Sequence, residues 1–389
     1  MPSPARERLF RLIMIAGAAM IVGVMCIGAE LAARHYERHR STPPDYVPSI
    51  FYPHKRLRYG LIPNLDYYGW FKINSLGFRG REFSAKKKLG IVRVVCLGAS
   101  TTFDIGSLGT DRPWPEVLEA ELRHDLGIES IEVLNLGIPG ATSLDSLIDL
   151  QMRAIAFQPD LVIVYQGHND FNYSIPPPLH QKPSDLFPLE ARPRSALTRW
   201  TTVHSLLYAK EEVRIADLVE RLTRFSPFGA KPSPTSPRDR ILGVEQGLSD
   251  YRANLRSIAA IARANGIALA LPEIIFPFPP VEGNGRCRVC DDLSAAYGGL
   301  PLAQIRSTID RYNKVLEQLG TEDHVYYIPT GGFVPSADRY YHESVHFSAE
   351  GSTRMGTRMA EALTLIVKQL TRGSDQSSTP TIKGRHTIS

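Results

Sequence analysis

Apolar and polar positions fall into distinct patterns along this chain. Residues 12–29 are all apolar or Gly, an uncharged run of 18. As a helix with a rise of about 1.5 Å per residue, that run covers about 27 Å, enough for the hydrocarbon core of a bilayer. Residues 31–33 extend it, and the pattern predicts a transmembrane helix over 12–33. Residues 34–90 read as a linker and a short strand-rich stretch. Tyr67, Tyr68, Trp70 and Phe71 precede the turn-rich sequence Asn74-Ser75-Leu76-Gly77-Phe78-Arg79-Gly80.

From residue 91 short apolar runs alternate with stretches of helical period. Residues 92–97, apolar apart from Arg93, suit a strand buried on both faces of a parallel sheet. Further strands are predicted over 131–136, 161–165, 267–271 and 325–328. Pro113 opens a helix to about residue 126, with Val117, Leu118 and Leu122 on one stripe. Helices are also predicted over 144–157 with Ser143 as cap, 250–264 before Gly266, 302–319 before Gly320, and 349–370. Strands alternating with helices imply an α/β fold with a five-stranded parallel sheet in three layers. Residues 171–247 and 272–301 interrupt the alternation after strand C-termini, where open α/β sheets place ligand sites, so they are candidate walls of a site. Residues 371–389 lack a sustained apolar period and are expected to be a disordered tail.

Composition narrows the class. In 389 residues, 43% hydrophobic and 22% charged, the chain is neither wholly disordered nor a polytopic membrane protein. Lys and Arg number 45 against 40 Asp and Glu, and no basic run is interleaved with aromatics, so nucleic acid is not an expected partner. Four cysteines exclude a disulfide-built scaffold. Cys287 and Cys290 form a single pair, half of a zinc ligand set; a redox pair lacks a thioredoxin-like helix start, and a local disulfide is the favoured reading. Cys26 and Cys96 are expected to be inert. Arg6, Arg8 and Arg11 precede the apolar run, which places residues 1–11 in the cytoplasm, although Arg34, Arg38 and Arg40 flank its other end. No small-x-small cleavage site follows cleanly, which favours a retained signal anchor over a cleaved signal peptide. The body is therefore expected outside the cytoplasm, in the periplasm of a Gram-negative cell.

Four short stretches sit where chemistry is placed in such a fold. In Gly98-Ala99-Ser100-Thr101-Thr102-Phe103 a Ser follows a strand, its N–H near a helix N-terminus that favours developing negative charge. In Asn135-Leu136-Gly137-Ile138-Pro139-Gly140 a bare Gly N–H can approach an oxyanion. In Gly167-His168-Asn169-Asp170 the Asn amide can donate to the same charge. In His342-Glu343-Ser344-Val345-His346-Phe347-Ser348, His346 is a candidate base for Ser100, with Glu343 holding its tautomer. Each stretch alone is more often a cap, a turn or a structural His. Their joint order along the strands is much rarer.

On these residues the sequence resembles the SGNH hydrolase superfamily, the GDSL-type esterases and lipases, whose name letters match Ser100, Gly137, Asn169 and His346. The resemblance covers roughly residues 91–370 and implies a flavodoxin-like sheet. It also implies acyl transfer through an ester on Ser100, with an oxyanion hole of the Ser100 and Gly137 N–H groups and the Asn169 amide. Two positions depart from the pattern: Ala99 stands where the family usually has Asp, and Glu343 where it usually has Asp. Residues 74–80 also resemble an element of membrane-anchored bacterial members. The implied activity is an ester hydrolase acting on a glycan, lipid or small ester, without cofactor or metal. The alternatives are an O-acyltransferase with the same triad and a silent carbohydrate-binding scaffold. Phe276-Pro277-Phe278 either contacts an acyl chain or packs on the body, the latter being the plainer expectation.

Overall fold

A computed structural model of the chain describes residues 4–38, 50–175, 237–278 and 293–377, except positions 53, 55, 56, 58, 68, 108, 110, 111, 128, 129, 295, 298 and 343. Helix α1 (Pro4–Arg38) carries the long apolar run; its stretch Phe10–Ala32 has 23 residues with a mean hydropathy of 2.5, long and apolar enough to cross a membrane. It falls in a different compact unit from the body, which is built from the described residues of Phe51–Asp66, Phe71–Pro188 and Pro234–Ser389.

The strand-rich stretch forms two small ribbons. Strand β1 (Phe51–Tyr52) pairs with β2 (Gly60–Leu61), and β3 (Leu65–Tyr67) with β4 (Phe71–Ile73). The core then runs β5 (Val92–Gly98), α2 (Ser100–Phe103), α3 (Trp114–Leu126), β6 (Ile131–Asn135) and α4 (Ser143–Met152). It continues through β7 (Leu161–Tyr165), α5 (His168–Ser174), α6 (Pro237–Ala264), β8 (Ala268–Pro272), α7 (Leu302–Leu319), β9 (Val325–Ile328) and α8 (Ala349–Ser377).

All five core strands are parallel, in the order β6-β5-β7-β8-β9. This is the doubly wound arrangement, in which the strand order reverses beside β5 and opens a crevice at the C-terminal edge. Alternate residues of each strand serve opposite faces. Val95, Leu97, Val162, Val164, Leu269 and Leu271 join a core with residues of α4, α6 and α7. Val94, Cys96, Leu161, Ile163, Ala268 and Ala270 join another with residues of α3 and α8. The one charge in β5, Arg93, is fully buried and satisfied: it pairs with Glu132 at 2.7 Å and donates to the carbonyls of Ser84, Ala85 and Phe157.

Four helix boundaries differ from the sequence expectation. Thr142, not Ser143, precedes α4 and shares a reciprocal cap with Asp145, because the Ser143 N–H and hydroxyl are both given to Asp170. The expected helix over 144–157 also breaks at Arg153, whose guanidinium folds back on Asp149 and over the Phe78 ring. Helix α6 begins at Pro237 rather than at residue 250: Gly243 and Gly247 lie against Ser174 so closely that a Cβ would sit 2.2 Å and 2.5 Å from its atoms. With Val244, Leu248, Tyr251 and Leu255 they make one buried stripe, so residues that read as part of an excursion belong to the core. Finally, α8 continues to Ser377, into the expected tail, since its one late break, Gly373, costs only about 1 kcal/mol in a helix. Most of the two excursions and residues 378–389 lie outside the described residues.

Candidate active site

The position of the candidate nucleophile is fixed by close backbone packing at the end of β5. A Cβ on Gly98 would lie 2.1 Å from the Thr102 hydroxyl and 2.4 Å from the Tyr165 carbonyl, so only a bare backbone makes this turn. Ser100 opens the four-residue helix α2, half-buried, and among the described residues its N–H meets no protein acceptor. The helix closes on Asp104, which adopts the left-handed conformation (φ 68°) and donates its N–H to the Ser100 carbonyl at 2.7 Å.

The histidine arrives from the loop before α8. Tyr341 and Phe347 pair as an antiparallel bridge, and the His342 N–H donates to the His346 carbonyl at 2.8 Å, making a narrow loop. This loop abuts the segment after α2: a Cβ on Gly106 would lie 1.9 Å from the Phe347 carbonyl oxygen. His346 Nε2 stands 2.6 Å from Ser100 Oγ. Residues 246 positions apart in the chain thus share one hydrogen bond. Glu343 lies outside the described residues, as do Cys287 and Cys290.

Gly137 and Asn169 reach the same edge with the Gly137 N–H and one Asn169 amide N–H already engaged. Gly137 backs onto α2, where a Cβ would sit 2.2 Å from the Phe103 nitrogen. Its N–H donates to Asn135 Oδ1 at 3.0 Å rather than pointing freely into the crevice. One N–H of the Asn169 amide donates to the Ala141 carbonyl at 2.8 Å, which fixes the amide plane and leaves its second hydrogen. Ala141 O also accepts from Gln166, and Gln166 donates to the half-buried Asp170 at 3.2 Å. Phe276 packs in the body, its ring 4.5 Å from that of His168 and 5.5 Å from that of Tyr297.

Sequence reasoning missed the groups that hold this arrangement from outside. Arg79, from the segment before β5, is buried and donates to the carbonyls of Phe103 (2.8 Å), Asp104 and Ser107. Its guanidinium also covers the Phe103 ring at 4.9 Å. Asn74 folds the segment that presents it, accepting from the N–H groups of Leu76 and Phe78 at 3.0 Å each. Tyr59 donates its hydroxyl to the Pro139 carbonyl at 2.9 Å, tying the Gly137 loop as well. Burial pushes the Asp104 carboxyl up to about 6, against the opposing pull of Arg79, the Ser352 side chain, the Trp114 N–H and His346. The available signal was Asp104 itself, one ionisable residue amid Phe103, Ile105 and Gly106.

A model of the GDSL-like lipase/acylhydrolase family matches residues 96–354, well over half of the chain. The chain belongs to this family. No curated protein matches it. Among solved structures, an acetyl xylan esterase from Geobacillus stearothermophilus is 16% identical, covering 71% of this chain and 97% of that one with a TM-score of 0.40. A lipase/acylhydrolase from Enterococcus faecalis is 15% identical over 71% of this chain and 97% of its own, with a TM-score of 0.40. The lipase Lip_vut3 from a goat rumen metagenome is 14% identical over 70% and 97%, with a TM-score of 0.43. Family membership makes the protein an SGNH-type serine esterase, a hydrolase of ester bonds.

Proposed function

We propose that this GDSL-family esterase works as a membrane-anchored enzyme outside the cytoplasm, hydrolysing its ester through an acyl-enzyme on Ser100. The observation that carries the reading is the 2.6 Å bond between Ser100 Oγ and His346 Nε2 at the C-terminal edge of the sheet. His346 takes the hydroxyl proton as Oγ bonds to the acyl carbon, then returns it to the departing alcohol; water repeats the exchange and frees Ser100. Glu343, assigned from the sequence alone, orients the imidazole.

The oxyanion that forms draws on the Ser100 N–H and the second hydrogen of Asn169. The Gly137 N–H, resting on Asn135, joins them because a charged oxygen is a better acceptor than an amide oxygen. For topology, Arg6, Arg8 and Arg11 ahead of the span support a cytoplasmic N-terminus, with the body on the opposite side. Protease accessibility of the body in spheroplasts, but not in intact cells, checks this side.

The test of the chemistry uses the full chain in detergent micelles with p-nitrophenyl acetate and a fluorophosphonate. Hydrolysis and covalent labelling are both expected, and both vanish in Ser100→Ala. Labelling that persists in that variant, or a wild-type chain that neither labels nor turns over, overturns the assignment.

A further inference from the structure

A buried amide stands directly behind the Asn169 donor. Gln166, between the end of β7 and Gly167, is 2% exposed. Its Nε2 donates to the Ala141 carbonyl at 2.6 Å, and the Asn169 Nδ2 donates to the same oxygen at 2.8 Å. A carbonyl oxygen has two lone pairs, so these two side chains fill it. The second Gln166 contact, at 3.2 Å, goes to Asp170 Oδ2. Its Oε1 is buried and meets no hydrogen-bond partner among the described residues. An apolar side chain of similar length, such as Met, avoids that orphaned acceptor, so the donors are the property of Gln166 that calls for a use.

The frame around those donors is tied on every side. The Ala141 N–H donates to the Ile138 carbonyl at 3.0 Å, closing a turn in which Gly140 takes a φ of 78°. The Gln166 carbonyl accepts the Tyr251 hydroxyl of α6 at 2.9 Å, and a Cβ on the next residue, Gly167, would lie 2.2 Å from Ile274 Cδ1. Asp170 is bound to the start of α4: both its oxygens accept the Ser143 N–H at 3.0 Å. The Ser143 hydroxyl also donates to Asp170 and accepts from the Asn254 amide of α6 at 2.9 Å. The loop after β6 and helices α4, α5 and α6 are thus joined through Gln166 and Asp170. Asn169 itself is half-buried, and among the described residues its side chain makes only the bond to Ala141.

We propose that Gln166 is a positioning residue for Asn169: by holding the Ala141 carbonyl, it aims the second amide hydrogen of Asn169 at the oxyanion formed when Ser100 attacks. In that step Ser100 Oγ bonds the acyl carbon, its proton passes to His346 Nε2, and the π pair of the acyl C=O moves onto oxygen. Gln166 and Asn169 exchange no proton. Aim decides the outcome because a hydrogen bond weakens steeply with misalignment, and the donor must meet the oxygen as its charge develops. The proposal rests on the reading of Asn169 as an oxyanion donor.

The competing account is that Gln166 only braces the edge of the sheet. A double-mutant cycle in the full chain, in detergent micelles, separates the two. The variants are Gln166→Met, Asn169→Ala and both together, read by kcat and KM for p-nitrophenyl acetate with the urea midpoint alongside. Removing an oxyanion donor costs about 10²–10³ in kcat, so Asn169→Ala is expected to lose about a hundredfold. Gln166→Met is expected to lower kcat about tenfold or more with KM nearly constant, since the donor is called on only once the oxygen is charged. In the Asn169→Ala background the same change should cost less than about twofold, because the group it aims is already gone. A loss as large in that background as in the wild type leaves bracing alone and overturns the proposal. If Gln166→Met does not fold, Gln166→Asn, one methylene too short for the Ala141 carbonyl, runs the same cycle with the same expectations. An impaired Asn169→Ala beside a Gln166 variant with wild-type kcat sinks this proposal alone, whereas an Asn169→Ala chain with wild-type kcat sinks the oxyanion reading with it.

Discussion

Replacing Arg79 by Met keeps the length and apolar stem of the side chain and removes only the guanidinium. Three carbonyls then lose a donor. That of Phe103 keeps the Asn135 amide at 3.4 Å, a weak contact, and that of Asp104 keeps the Ser107 N–H at 3.1 Å. That of Ser107 keeps no donor among the described residues. Hydrogen bonds to a charged group are each worth about 1.5–3 kcal/mol, so three sum to about 4.5–9 kcal/mol, and relief of the cost of burying the guanidinium brings the net loss to about 3–5 kcal/mol. Asp104 also loses the field that opposes its burial, so its carboxyl moves above its value of about 6. Urea unfolding followed by tryptophan fluorescence reads this directly, because the Trp114 indole N–H donates to the Thr101 carbonyl at 2.9 Å, within the nucleophile helix. A slackened turn misplaces the Ser100 hydroxyl, and a displacement of about 1 Å costs about 100-fold in rate, so kcat should fall ten- to a hundredfold with KM nearly constant. Lysine should not rescue, since one ammonium cannot span three carbonyls. An Arg79→Met chain with the wild-type urea midpoint and kcat refutes the reasoning.

Other outcomes follow from the same geometry. His346→Ala should lower kcat for p-nitrophenyl acetate by several orders of magnitude, since nucleophile and base act as a unit, and a near-normal rate removes His346 from the chemistry. Gly106→Ala drives a Cβ to 1.9 Å from the Phe347 carbonyl oxygen, so the histidine loop must shift; a lower melting temperature and a lower kcat are expected together. Asp104→Asn should stabilise the fold in a pH-dependent way. Burial raises the carboxyl from its ordinary 3.8 to about 6 in the folded chain, so between those values the folded chain holds the extra proton and wild-type stability falls as pH rises. At about 1.4 kcal/mol per pH unit the variant gains about 3 kcal/mol above pH ~7 and nothing below pH ~4, which urea titrations across that range test.

The sheet was legible in the sequence because strands buried on both faces leave near-continuous apolar runs, and 161–165 and 325–328 match the observed strands residue for residue. Ser100 and His346 stood out as candidates because each sits in a short stretch of fixed order at a strand end or before the last helix, and the fold brings the two side chains to 2.6 Å. The start of α6 was hidden, since Gly243 and Gly247 read as breakers until Ser174 is seen to fill the space their side chains would need. The Thr142 cap was hidden by a contest between neighbours that only Asp170 decides. Arg79 was named within a turn motif, but its task depends on a partner segment more than twenty residues away.

The misses around Ser100 share a physical cause. A helix of four residues cannot satisfy its own C-terminal carbonyls, and α2 must therefore borrow donors. The Ser100 carbonyl takes the N–H groups of Asp104 and Ile105, the Thr101 carbonyl takes the Trp114 indole, and the Phe103 carbonyl takes Arg79. Two of these donors come from outside the turn, one from the helix that follows and one from the segment that precedes the sheet. Periodicity reports which face of an element is buried; it is silent on which distant donor a short, strained turn requires. The residues that set Ser100 in place are therefore spread over Arg79, Asp104 and Trp114, and the segment before the sheet is as much a part of the candidate site as the strand that leads to Ser100.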